Sequence, residues 1–317
     1  MGGAAGGHGA GKRNDAGRKV EKVLNEQVIC ADGVIRTKLE VAIQRLRSFE
    51  PPEGYFVAFS GGTDSQCVYH LCEMAGVKFE AHYNVTSVDP PELIKFIKSN
   101  YPEVIFNVPH DAEGKRISMW SLIEQKMMPP MRIARYCCQA LKEQNGEGRI
   151  VVTGVRWAES ARRAKSHGAV TMIGKPKDTQ KNALGLNANI KKTKSGGIIL
   201  NLDNAAERRL VEQCYRTRKT LVNPIIDWNE ADVWQYLNEI VKVPHCCLYD
   251  EGFLRLGCIG CPMQGSKKME KDFARWPKYK ALYLKAFERM QAARRGKGLE
   301  TKWENAEEVF AWWVGDA

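Results

Sequence analysis

The stretch Val57-Ala58-Phe59-Ser60-Gly61-Gly62-Thr63-Asp64-Ser65 decides how this chain is read. An apolar strand runs directly into Ser-Gly-Gly-x-Asp-Ser, and a helix-compatible segment follows from Gln66 to Ala75. Paired glycines let the backbone turn sharply and approach a ligand closely. Amides of the first helical turn then point at whatever sits over the loop, with the positive end of the helix dipole behind them. Ser60 and Ser65 add hydroxyl donors, and Asp64 suits a magnesium ion shared with phosphate oxygens. The pattern is a phosphate cradle of a kind other than the Walker loop, which needs Gly-Lys-Ser/Thr. The bland alternative is a strand–turn–helix corner with capping serines.

Outward from this loop, strand and helix signals alternate. Strands are expected at Tyr55–Phe59, Lys78–Val85, Val104–Val108 and Ile150–Val155, and helices at Asp64–Ala75, Pro91–Asn100 and Ser118–Lys126. Such alternation implies an α/β fold with a parallel sheet and right-handed crossovers. Ligands bind at the carboxyl ends of such strands, where both the loop and Gly154-Val155-Arg156 fall. Helical spacing also marks residues 37–48, Glu207–Arg216, Glu230–Val241 and Trp276–Arg294.

Residues 165–197 interrupt the order with seven lysines, one acidic residue and little periodicity, and read as a solvated, poorly ordered insertion. Residues 1–20, rich in Gly, Lys and Arg, read as a disordered basic tail. The organisation expected is therefore tail (1–20), α/β domain (21–245) with the insertion, and a cysteine-motif and helical C-terminal region (246–317). Trp303, Phe310, Trp312 and Trp313 suggest that the final helix docks.

The chain has 317 residues, 44% hydrophobic and 27% charged, with a net charge of +11. This is a globular composition, and a basic balance favours nucleotides, nucleic acid or other polyanions. No apolar run approaches the roughly 20 residues of a membrane span, and no signal-peptide core is seen. No membrane association and a cytoplasmic location are expected.

A second functional segment is Thr153-Gly154-Val155-Arg156-Trp157-Ala158-Glu159-Ser160-Ala161-Arg162-Arg163. A glycine at a strand end admits a ligand, and arginine forks bind phosphate or sulfate oxygens. Solvated arginines at a helix start are the plain alternative. A third signal lies among the ten cysteines. Without an export signal they favour metal binding or catalysis over a disulfide framework. Cys30, Cys67, Cys72 and Cys214 read as small buried residues, whereas Cys137-Cys138, Cys246-Cys247 and Cys258-Ile259-Gly260-Cys261-Pro262 are grouped. Sulfur ligation of this kind means zinc or an iron–sulfur cluster, with a redox dithiol as the rival reading.

Four segments in order carry a resemblance. These are the loop, Thr153–Arg163, Asn223-Pro224-Ile225-Ile226-Asp227-Trp228-Asn229-Glu230-Ala231-Asp232-Val233-Trp234, and Leu248–Pro262. Together they resemble the phosphoadenosine phosphosulfate (PAPS) reductase-like family of the N-type ATP pyrophosphatase (PP-loop) superfamily. The resemblance implies a Rossmann-like, adenine nucleotide alpha hydrolase-like fold with a parallel five-stranded sheet, flanking helices and a helical C-terminal region. It implies an adenine nucleotide between the loop and the Gly154–Arg156 turn. Branches with an adjacent cysteine pair and a later C-x-x-C carry a [4Fe–4S] cluster. That implies ligands among Cys137, Cys138, Cys246, Cys258 and Cys261, with structural zinc as the alternative. One departure matters: the reductases use a cysteine in a C-terminal tail, and no cysteine follows Cys261 here. In this the chain resembles the tail-less branch found among DNA phosphorothioation sulfurtransferases and beside type IV CRISPR loci.

The function expected is thus ATP cleavage between the α- and β-phosphates, with adenylation of an unknown acceptor and a possible link to sulfur transfer. Ser60, Gly61, Gly62, Thr63, Asp64 and Ser65 would hold the phosphates and Mg²⁺, with Gly154 and Arg156 near the adenosine and α-phosphate. Asp64, Ser60 and Arg156 are the catalytic candidates, and Arg162, Arg163 and Lys142 would hold an anionic acceptor. The alternatives are a sulfonucleotide reductase using another thiol, for instance Cys247, and a nucleic-acid-binding accessory protein with a nucleotide-sensing site.

Overall fold

A computed structural model describes residue 24 and residues 26–30, 33–173, 191–192, 198–200 and 219–315. The N-terminal tail, the helix expected at Glu207–Arg216, Cys214 and Lys194 lie outside the described residues.

A short antiparallel hairpin, β1 (Gln27–Ile29) with β2 (Ile35–Thr37), leads into α1 (Lys38–Ser48). Thr37 and Glu40 form a reciprocal capping box that fixes where α1 begins. The central sheet is built from β3 (Tyr55–Ala58), β4 (Phe79–Asn84), β5 (Ile105–Asn107), β6 (Ile150–Val152), β7 (Val170–Ile173), β8 (Lys191–Lys192), β9 (Ile198–Leu200) and β10 (Lys219–Val222). Their spatial order is β5-β4-β3-β6-β10-β7-β9-β8. The pairs β5–β4, β4–β3, β3–β6 and β6–β10 are all parallel. The expected five-stranded parallel sheet is therefore present. Tyr55, Phe56 and Val57 of the middle strand are buried, as a strand covered on both faces requires.

Helices α2 (Thr63–Ala75), α3 (Pro91–Asn100), α4 (Met119–Lys126) and α5 (Tyr136–Leu141) connect or flank these strands. After β6 the chain makes a 3₁₀ turn (Trp157–Glu159) and the short helix α6 (Ala161–Ser166). The strand order reverses between β3 and β6, and that switch point opens a crevice at the carboxyl ends of both. The loop after β3 and the Gly154–Arg156 turn after β6 face each other there.

The insertion differs from expectation. Val170–Ile173 forms β7, antiparallel to β10, and β9 and β8 extend this edge. Short β-branched runs such as Val170-Thr171 and Ile198-Ile199 complete a sheet edge, although the surrounding Gly and Lys hide any period. Residues 174–190 and 193–197 are outside the described set.

Toward the C-terminus, α7 (Glu230–Gln235) runs on as a π-helical turn (Tyr236–Val241). A 3₁₀ turn at Cys247–Tyr249 and another at Pro262–Gln264 flank the cysteine-rich loop. The helix expected at Trp276–Arg294 is α9 (Pro277–Gly296), and a further helix, α8 (Ser266–Arg275), precedes it. Pro277 has no N–H to continue α8, but its fixed φ suits the first turn of α9. α9 packs against α4, and α10 (Ala306–Gly315) packs against α9. Trp313 is buried and its Nε1 donates to the Pro130 carbonyl at 2.6 Å, so α10 docks as expected. Among the described residues no helix is long and apolar enough to cross a membrane.

Candidate active site

Gly61 has φ +73°, and a Cβ there would lie 2.7–2.8 Å from Leu93 and Ile97 of α3. Both the turn and the packing thus demand glycine. Gly62 caps α2 without a side chain. Ser65 Oγ donates to the Gly62 carbonyl at 2.8 Å, and Ser60 Oγ donates to Ser65 Oγ at 3.2 Å. The serines therefore brace the loop internally, and Ser60 remains exposed.

Gly154 has a role that the sequence disguised. A Cβ at this position would lie 2.8 Å from the Asp64 carbonyl oxygen. The missing side chain lets the β6 turn press onto the first turn of α2, which sets the width of the crevice. Asn223 pins this turn from the other side. It accepts from Thr153 Oγ1, and its Nδ2 donates to the Gly168 carbonyl at 2.7 Å. Arg45, in turn, holds the Asn223–Trp228 segment through Asp227 and the Pro224 carbonyl, each at 2.9 Å.

A cleft of about 240 Å³ opens over the loop, lined by Ser60, Gly62, Thr63, Asp64, Arg156 and Glu159 on one side. Glu230, Tyr249, Leu254, Arg255 and Leu256 complete it. Arg156 is buried; its Nε donates to Asp64 Oδ1 and its Nη2 to Glu230 Oε2, both at 2.8 Å. Burial raises the Asp64 pKa above the ordinary carboxylate value; Arg156 opposes this, and Glu159 and Glu230 add to it. Glu159 accepts from the Arg156 backbone N–H at 3.1 Å, from Arg163, and from Arg255 Nη2 at 2.6 Å. Guanidinium and carboxylate groups thus alternate around the cleft.

Tyr249 closes it. The Thr63 N–H donates to Tyr249 Oη at 3.0 Å. The ring stands edge-on to Trp234 (5.3 Å, 90°), whose Nε1 donates to Glu230 at 3.1 Å. Thr63, Tyr249, Trp234, Glu230, Arg156 and Asp64 therefore form one closed circuit. Tyr249, Arg255, Glu159 and Glu230 were not among the sequence candidates. All four lie inside the quoted segments, but their convergence depends on four separate chain stretches meeting.

The structure brings Ser60–Ser65, Gly154 and Arg156 together. Arg163 sits at the rim, tied to Glu159, and for Arg162 only the backbone, in α6, is described. Lys142 lies elsewhere, with its ammonium facing the Cys258 thiol; the Cys258 charge, first, raises its pKa.

That lysine marks a second cluster. Cys137 and Cys138 on α5 lie on the side of Cys258 and Cys261: a hydrogen bond with Cys138, then burial, raises the Cys137 pKa, and burial, then the Cys258 charge, raises that of Cys261. A hydrogen bond from Cys137, helped by Arg135 and Lys142, holds the Cys138 pKa below the ordinary thiol value. Cys258 Sγ also reaches Thr86 Oγ1 at 3.6 Å. Cys246 is placed differently: it is buried beside Cys247 and Glu92. Among the described residues no three His, Cys, Asp or Glu side chains converge as a ready-made metal site. By donor chemistry the four thiols fit a sulfur-ligated metal or cluster.

Residues 54–264 match the phosphoadenosine phosphosulfate reductase domain, so this chain belongs to that family. An uncharacterised protein of Methanocaldococcus jannaschii is 32% identical over 78 residues, which are 25% of this chain and 16% of that protein. An adenosine 5'-phosphosulfate reductase of Oceanobacillus iheyensis is 34% identical over 61 residues, 19% of this chain and 25% of that protein. The chain thus matches a quarter or less of these relatives' own lengths. A PAPS reductase from Candida auris, solved with phosphate, aligns over 70% of this chain and 88% of its own at 13% identity and a TM-score of 0.40.

Proposed function

We propose that this protein binds an adenine nucleotide in the β3–β6 crevice and cleaves ATP between the α- and β-phosphates. The observation that carries this reading is the Asp64 carboxylate on the first turn of α2, inside an amide-lined anion loop and paired with Arg156. A bare phosphate would be repelled by that carboxylate. A phosphate that arrives with a divalent cation is not, and Asp64 and Glu230 are the oxygen ligands that suit magnesium. Bound there, the cation would neutralise charge on the phosphates.

Phosphate oxygens compete for the Arg156 guanidinium, which releases Asp64 and Glu230 from their ion pairs. Arg156 then offers its fork to the α-phosphate, and the loop amides hold the leaving pyrophosphate. An acceptor lone pair attacks the α-phosphorus, the bond to the bridging oxygen breaks, and pyrophosphate departs with that electron pair. Arg163 and Arg255 at the rim would orient an anionic acceptor. Catalysis rests on positioning and charge neutralisation.

We assign the cluster ligands to Cys137, Cys138, Cys258 and Cys261, with an iron–sulfur cluster favoured over zinc. When bound, such a cluster supplies electron transfer or sulfur donation. The similarity to an adenosine 5'-phosphosulfate reductase supports a second reading, a sulfonucleotide reductase, for which the exposed Cys247 is the candidate thiol.

Chromatography of the products of α-labelled ATP tests the assignment. AMP or an adenylated product with pyrophosphate is expected. A dominant ADP signal, or no ATP turnover with any candidate acceptor, would overturn it.

A further inference from the structure

The first helical amide of an anion loop is its most valuable donor, because nothing inside the helix can satisfy it. Here that amide, Thr63 N–H, is already taken by Tyr249 Oη at 3.0 Å. The hydroxyl comes from the segment joining Cys246 to the C-x-x-C motif, more than 180 residues along the chain. Its position is firmly set. The 3₁₀ turn is closed by the Tyr249 N–H donating to the Cys246 carbonyl at 3.0 Å. Trp234 and His245 both stand edge-on to the ring, at 5.3 and 6.1 Å. Gly62 leaves room for the hydroxyl: a Cβ there would lie 3.3 Å from Oη.

A phenol oxygen that accepts one N–H still carries its own proton. Burial raises the Tyr249 pKa above its ordinary value, so the proton is held at neutral pH. Thr63 meets the oxygen with both its N–H and its side chain, and Tyr249 also lines the cleft, toward which its O–H can donate. Tyr249 therefore passes the amide's polarity one residue further into the cleft.

We propose that Tyr249 is a substrate-contacting, specificity-determining residue, whose hydroxyl donates to an anionic oxygen of a bound polyphosphate. This rests on the reading of the cleft as a nucleotide polyphosphate site. The site then holds its terminal phosphate one hydroxyl further out than a bare loop would. A neutral donor replaces a backbone amide, so the loop recognises the phosphate through a segment of the C-terminal half. The ligand class is a pyrophosphate or nucleoside polyphosphate with its divalent cation.

The test is calorimetric titration of Mg-ATP and Mg-pyrophosphate into wild type, Tyr249→Phe and Gly62→Ala. Phenylalanine keeps the ring packing and removes only the hydroxyl, and alanine at 62 crowds the hydroxyl without deleting it. Affinity for both probes should fall about ten-fold or more in Tyr249→Phe, as for loss of a hydrogen bond to a charged group. It should fall in Gly62→Ala also, with the Tyr249→Phe thermal midpoint near wild type. Unchanged affinity in Tyr249→Phe would overturn the proposal. Tighter binding would also overturn it, because the hydroxyl would then be a plug that competes with the anion. ADP formation by the wild type would sink the cleavage assignment but leave these affinities to decide the role of Tyr249. A wild type that binds neither probe would end both.

Discussion

Replacing Gly154 with alanine puts a Cβ 2.8 Å from the Asp64 carbonyl oxygen, 2.9 Å from its carbonyl carbon and 2.9 Å from its Cβ. Two of these three atoms are backbone in the first turn of α2, so no side-chain rotation relieves the clash. Either the β6 turn or the helix start must move by several tenths of an ångström. Overpacking of this kind costs about 1–3 kcal/mol. The lower entropy of the unfolded alanine chain offsets roughly 0.4–1 kcal/mol of that. A net loss of about 1–2 kcal/mol is expected, read as a lower urea midpoint at an unchanged slope. The functional loss should exceed the stability loss. Asp64 and Arg156 sit on the two elements pushed apart and are joined at 2.8 Å. Misplacement approaching 1 Å costs on the order of a hundred-fold in rate. Urea melts and Mg-ATP turnover of Gly154→Ala decide the matter. A variant as stable as wild type, with wild-type turnover, would refute the argument that this glycine sets the crevice width.

The Asp64 ionisation gives a pH dependence. Its pKa is raised chiefly by burial, so the unfolded chain gives up this proton first. Asp64 therefore lowers stability as pH rises from the ordinary carboxylate value through the raised one, and this cost is absent below that window. Mg-ATP affinity needs the ionised form and should fall as pH drops through a midpoint above 3.8. Asp64→Asn should weaken Mg-ATP binding at neutral pH and flatten that acid limb; an acid limb of unchanged shape would refute the role given to Asp64. For the thiols, protein purified without oxygen should be brown and contain iron, and Cys258→Ser or Cys261→Ser should lose both colour and metal. Cys246→Ser should keep them, because Cys246 lies apart beside Glu92. Elemental analysis finding zinc would replace the cluster by a structural metal, and finding neither would remove the assignment.

Four strands of the parallel half, β3 to β6, were legible because short runs rich in β-branched and aromatic residues alternate with helical periods; the fifth, β10 (Lys219–Val222), was not among the strands expected and is defined by its pairing with β6. The loop was legible because Ser-Gly-Gly-x-Asp-Ser is contiguous. Local sequence also marked the docking helix, since Phe310 and Trp313 cannot all be left in water. The antiparallel edge of β7, β9 and β8 was not legible. Each of those strands is two to four residues long, too short for a period, and is defined by pairing alone: β7 with β10, β9 with β7 and β8 with β9.

The same division holds at the site. Sequence alone named the loop, Gly154, Arg156 and the paired cysteines, because residue type and spacing express their chemistry locally. Only the tertiary structure showed that Gly154 serves packing against Asp64, that Glu159 ties Arg163 and Arg255 together, and that Cys246 stands apart from the other four candidate thiols. Only it brought Tyr249 to Thr63, across a span for which no sequence spacing exists. Side-chain convergence is a property of how strands, turns and the C-terminal segment pack together, and neighbours along the chain carry no record of it.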